Sequence, residues 1–182
     1  MALREVLQFP DARLKRVSEP ISDVTDELRE LARDMCEVMY DEPGIGLAAP
    51  QVGVARRLIV VDTEWTEDDA ERNALVVVNP VLSDHEGKIT WNEGCLSVPD
   101  FSADVERAEC VVLRGTDLDG NAIDESAEGL RAVCFQHEVD HLDGVLFIDR
   151  ISRLKRGLYV KKRKKQLREG EEESSGAGGT LL

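Results

Sequence analysis

Histidine is scarce in this sequence, with three residues in 182, and aromatic side chains make up only 4%. The four cysteines, Cys36, Cys95, Cys110 and Cys134, lie far apart and form no CxxC pair. That spacing excludes a CxxC redox motif and a cysteine-rich zinc module. Residues 1–5 lack the apolar core of a secretory signal, so reduced thiols and a cytoplasmic location are expected. No apolar run approaches the roughly 20 residues that a membrane helix needs, and no membrane association is expected. The runs at 58–61 and 75–78 read instead as buried strands. Residues 44–51 are glycine-rich, but no Gly-Lys-Ser/Thr follows, which excludes a phosphate-binding P-loop.

The length suits a single domain with a substantial core. Net charge is −14, yet residues 153–168 hold nine Lys or Arg and no acid. The acidic remainder argues against specific DNA binding, whereas the basic segment is suited to phosphates. Leu154 and Leu158, spaced i, i+4, are the expected apolar tether of a basic helix over 153–168. Residues 169–182, rich in Glu, Ser and Gly, read as a flexible tail. Upstream, a helix is expected from about Thr25, with Asp26 and Glu27 in its first turn. Its apolar face is Leu28, Leu31, Ala32, Met35, Val38 and Met39, and Pro43-Gly44 ends it. Strands are expected at 58–62 and 75–79, with further extended chain over 81–91. A hairpin of 104–116 with 122–126 is expected around Asp119-Gly120.

Chemistry concentrates in residues 134–144. His137 and His141 are four apart, so a helix places both imidazoles on one face, where they can share a metal ion. Glu138 lies beside them and completes an HExxH pattern. Leu130, Val133, Cys134, His137 and His141 form one continuous stripe, and Gly144 is a suitable stop. A catalytic site of this type uses three protein ligands, and Phe147 occupies the position of a metzincin's third histidine. His85 has no partner motif. The third ligand therefore comes from elsewhere, as a thiolate or a carboxylate.

Three blocks occur in order: GIGLAAPQ (44–51), EGCLS (93–97) and QHEVDH (136–141). Together they closely resemble peptide deformylases, over residues 3–160. The resemblance implies an α+β fold with mixed, mainly antiparallel sheets packed around a central helix that carries the HExxH motif. It implies a catalytic domain over 1–168, removal of the formyl group from the formyl-methionine of nascent chains, and release of formate. It assigns Cys95, His137 and His141 as metal ligands and Glu138 as the acid/base residue. Gln51 and the Leu96 N–H would hold the carbonyl oxygen. Gly46 would meet the substrate backbone beside Gly94, and Ile45, Glu93, Leu130, Val133 and Cys134 would line the methionine pocket. Fe(II) is the expected metal, with Zn, Ni or Co able to replace it in purified protein. Residues 153–168 would contact the ribosome. Ser102 stands where the family often has an arginine paired with the Glu of EGC, and Arg107 is an alternative partner. An HExxH zinc peptidase and an inactive deformylase-like binding module are the rival readings. The first leaves EGCLS unexplained. The second is disfavoured because Gln51, Cys95, His137, Glu138 and His141 are all present.

Overall fold

A strand that is apolar at every position needs cover on both faces, and the computed structural model shows how residues 58–61 obtain it. The structure describes residues 4–66 and 71–176, with side chains to 170. These form an α+β fold of two antiparallel sheets and three α-helices. The larger sheet runs β1 (Gly46–Ala48), β2 (Leu58–Val61), β3 (Leu75–Glu86), β6 (Cys110–Thr116), β7 (Ala122–Glu128). The smaller pairs β4 (Ile89–Cys95) with β5 (Val98–Arg107). Alternate side chains of the larger sheet enter different cores. Leu47, Leu58, Val60 and Val78 pack with α1 (Asp26–Asp41), whereas Ala48, Ile59, Val61 and Val77 pack with α2 (Gly129–Leu142).

Both of these helices end where local chemistry dictates. The Thr25 hydroxyl accepts a hydrogen bond from Leu28 N–H at 3.3 Å and caps α1, whose expected apolar face is buried throughout. At the other end of the sequence, α2 closes on Gly144 at φ 72°. Gly144 N–H bonds to the His141 carbonyl and Val145 N–H to that of Asp140, the paired bonds of a Schellman motif. A Cβ on Gly144 would lie 2.5 Å from the Lys15 carbonyl oxygen, so the position excludes other residues twice over.

Three elements depart from the sequence reading. The expected strand 104–116 is two strands in different sheets, since 104–107 belong to β5 and 110–116 to β6. The Gln136 amide makes the break by accepting from Ala108 N–H at 3.0 Å and donating to Ala108 O at 2.9 Å, as a neighbouring strand would. Next, β3 continues past Asn79 to Glu86 through a register shift at Val78/Val81, where Asn79 takes φ 51°. The extended stretch expected over 81–91 is divided between β3 and β4, with Gly87 at φ 65° between them.

The third departure is the basic helix. It runs as α3 (Arg153–Gly176), well into the segment expected to be a tail; 177–182 lie outside the described residues. Leu154 and Leu158 are 75% and 63% exposed and tether nothing. The anchor is Tyr159, 3% exposed, which enters a core with Val98, Leu146 and Phe147. Arg163 adds hydrogen bonds to Phe9 O and Gln8 Oε1. Among the described residues, no helix is long and apolar enough to cross a membrane.

Candidate metal centre

Cys95 ends β4, and the tight reversal into β5 sets it against α2, whose inner face carries His137 and His141. The three side chains offer ligand atoms that all lie within 4.8 Å of one another. Cys95 Sγ is 3.3 Å from His141 Nε2, and the two imidazole rings are 5.0 Å apart, nearly edge to face. One thiolate with two imidazoles is a donor set for a first-row divalent metal. The remaining imidazole nitrogens differ. His137 Nδ1 meets Glu93 Oε2 at 2.8 Å, which leaves Nε2 for an ion. His141 Nδ1 is buried with no hydrogen-bond partner among the described residues. The residues present fit a single bound metal ion.

Behind His137, Glu93 is held in turn by Arg107, Nε to Oε1 at 2.7 Å and Nη2 to Oε2 at 2.9 Å. Arg107 Nη1 reaches Asp140 at 2.6 Å, and Arg150 closes the far end of the chain on the same carboxylate. Arg107 is thus the partner of Glu93, the alternative that the sequence offered. Burial alone would raise the Glu93 carboxyl, but the Arg107 and His137 contacts outweigh it and bring it down to about 2.

Glu138 has the opposite fate. Burial, first of all, pushes it up to about 7, while His137 opposes that effect and the Glu93 charge adds to it. Its Oε2 has no hydrogen-bond partner among the described residues. Its Oε1 lies so close to β1 that a Cβ on Gly46 would stand 2.5 Å away. Gly46 is therefore required by the close approach of the acid as well as by its place on the cleft. Gln51 is fixed by Ala48 N–H, which donates to its Oε1 at 2.8 Å. Its Nε2 then points towards Cys95 Sγ, 3.5 Å away, and Ser97 Oγ, 3.2 Å away.

These groups open on a cleft of about 600 Å³. All of the expected pocket residues, Ile45, Gly46, Glu93, Gly94, Leu130, Val133 and Cys134, border it, as do Gln51 and Leu96. The Glu93 carboxylate is nonetheless committed to Arg107 and His137. Gly94 has no left-handed φ and nothing within 4 Å of a built Cβ among the described residues, so neither a turn nor close packing requires glycine there. The cleft also takes in Trp91, Asn92 and Phe101, which no local pattern marked. Phe147, where a metzincin has its third histidine, stacks on His137 at 6.2 Å. His85 borders a separate cleft behind α2.

A cysteine and two helical histidines around one point, with a buried carboxyl and an oriented amide at its edge, define a metal-dependent hydrolase site. The family model described as Polypeptide deformylase matches residues 3–157. The peptide deformylase of Alkalilimnicola ehrlichii is 48% identical over 179 residues, covering 98% of this chain and 99% of that one. That of Afipia carboxidovorans is 52% identical over 163 residues, covering 89% and 94%. A crystal structure of a peptide deformylase from Legionella pneumophila superposes with a TM-score of 0.84 at 41% identity, covering 93% and 98%. The chain belongs to the polypeptide deformylase family.

Proposed function

We propose that the chain removes the formyl group from N-terminal formyl-methionine through the residues gathered at this centre. The observation that carries the reading is the convergence of Cys95, His137 and His141 beside Glu138 and the Gln51 amide. In this reading the three residues hold Fe(II), for which Zn, Ni or Co can substitute. When bound, such an ion supplies Lewis acidity, polarising a carbonyl and making water nucleophilic near neutral pH. Ile45, Leu130, Val133 and Cys134 receive the methionine side chain. Gln51 Nε2 and the Leu96 N–H donate to the formyl oxygen as negative charge develops there, each worth about 3 kcal/mol at comparable sites. Glu138, buried at the edge of the site, takes the proton of the attacking water and returns it to the departing amine. A carbon–oxygen bond forms, the carbon–nitrogen bond breaks, and formate leaves a free methionyl terminus.

Metal analysis paired with anaerobic hydrolysis of formyl-Met-Ala-Ser tests this. Formate release, with the unformylated peptide left intact, is expected. Cleavage of the unformylated peptide would favour a zinc peptidase, and a metal-loaded but inactive protein would favour a binding module.

The reading extends to a cytoplasmic setting and to the ribosome, where formylated N-termini emerge. The cations of 153–168, all but Arg163 exposed, are suited to RNA phosphates, and such binding weakens steeply with salt. Ribosome co-sedimentation at low salt that is insensitive to charge reversal at Lys161, Lys162, Lys164 and Lys165 would remove this part.

A further inference from the structure

The aromatic residues are few, yet four rings form a file that joins α3 to the metal centre. Tyr159 stacks on Phe101 at 4.8 Å, Phe101 on Phe147 at 6.0 Å, and Phe147 on His137 at 6.2 Å. Phe9 closes the outer side of Tyr159 at 5.9 Å. Phe101 does two things, since it belongs to this file and also borders the cleft. It lies in the segment 99–101, which has no paired residues in the β4–β5 ladder between Gly94↔Ser102 and Cys95↔Val98. Asp100 within that segment takes φ 58°, a left-handed conformation uncommon outside glycine, asparagine and aspartate. A cleft wall bulged out of the strand register relies more on side-chain packing, and the ring packed most closely on Phe101 is Tyr159.

We infer that Tyr159 of α3 is a positioning residue of the substrate cleft, holding the bulged wall 99–101 in place through Phe101. The amino-terminal half of the basic helix is then part of the catalytic body. The inference rests on the cleft being the formyl-peptide site. The Tyr159 hydroxyl takes no part, for its oxygen is buried without a hydrogen-bond partner among the described residues.

The test uses full-length protein loaded with one metal. Tyr159→Leu should raise KM for formyl-Met-Ala-Ser roughly 3–10-fold, the worth of one aromatic pair, with kcat within about twofold. Tyr159→Phe should keep both constants and melt no lower than wild type, because it removes an unpaired buried hydroxyl. Phe101→Leu should raise KM similarly, and adding Tyr159→Leu to it should change little more, since the two act in series. The affinity of Met-Ala-Ser, followed by Trp91 fluorescence, should fall in parallel and does not depend on turnover. If Tyr159→Leu does not fold, Tyr159→Met serves under the same criteria. An unchanged KM in folded Tyr159→Leu or Tyr159→Met protein, additive effects in the double variant, or a loss of kcat alone that tracks a lower Tm would overturn the inference. Absence of formyl-peptide turnover by wild type would count against the functional reading instead.

Discussion

Arg107 grips Glu93 through two parallel hydrogen bonds of 2.7 and 2.9 Å, and both side chains are at most 5% exposed. The pair turns a carboxylate that borders the cleft into a fixed acceptor for His137.

Arg107→Met leaves that carboxylate buried with only His137 as a partner. Breaking a buried ion pair from one side costs about 3–5 kcal/mol. Because Glu93 orients His137, metal affinity should also fall by about 10–100-fold. Urea unfolding and metal titration measure the two effects. Unaltered metal affinity would reduce Arg107 to a purely structural role.

Glu138→Gln should keep the metal and lose roughly 10²–10⁴-fold in kcat. It should also gain stability in alkali. The wild-type carboxyl ionises near 7 when folded and near 4.5 when unfolded. The unfolded chain therefore sheds its proton first, and stability falls as pH rises from 4.5 to 7, by an amount on the order of 3 kcal/mol. Metal-stripped Glu138→Gln should thus unfold at higher urea than wild type at pH 8 and should match it at pH 4.5. Equal midpoints at pH 8 would contradict the assigned environment.

Cys95 as a thiolate ligand should resist alkylation in the loaded protein and react once the metal is chelated. Cys134 is 4% exposed and should stay unreactive in both states. Mass mapping of the labelled cysteines decides the matter, and labelling of Cys95 that ignores chelation would remove it from the ligand set.

Gly46→Ala places a methyl group 2.5 Å from Glu138 Oε1 and 2.9 Å from Cys134 Sγ. Displacing the acid by a fraction of an ångström should lower kcat by up to about 10²-fold. The overpacking should cost about 1–3 kcal/mol. Metal content should be unchanged, because no ligand is touched.

The elements legible in the sequence were those whose cause is local. Thr25 and its apolar stripe mark α1, the His137–His141 spacing and Gly144 mark α2, and the unbroken apolar run at 58–61 announces a strand covered on both sides. What stayed hidden depends on distant partners. The break between β5 and β6 is made by Gln136 from α2. The anchor of α3 is Tyr159 rather than the more apolar leucines, because Phe101 and Phe147 already form an aromatic slot. Every residue proposed for the metal and the acid was readable from motifs, whereas Asp140 and Arg150 behind them were not. Asp140 meets Arg107 only once α2 lies against β5, and Arg150 joins them through the same carboxylate.

The proposed ligands come from separate modules, Cys95 from the two-stranded sheet and both histidines from the helix on the five-stranded one. Gln136, on the same helix, is bonded to Ala108 at the seam between the modules. A folding intermediate with only one module formed offers the ion at most an incomplete shell. In the proposed site, a complete ligand set therefore requires the two modules to be docked. An enzyme that acts on newborn chains would arm itself only after its own assembly is finished.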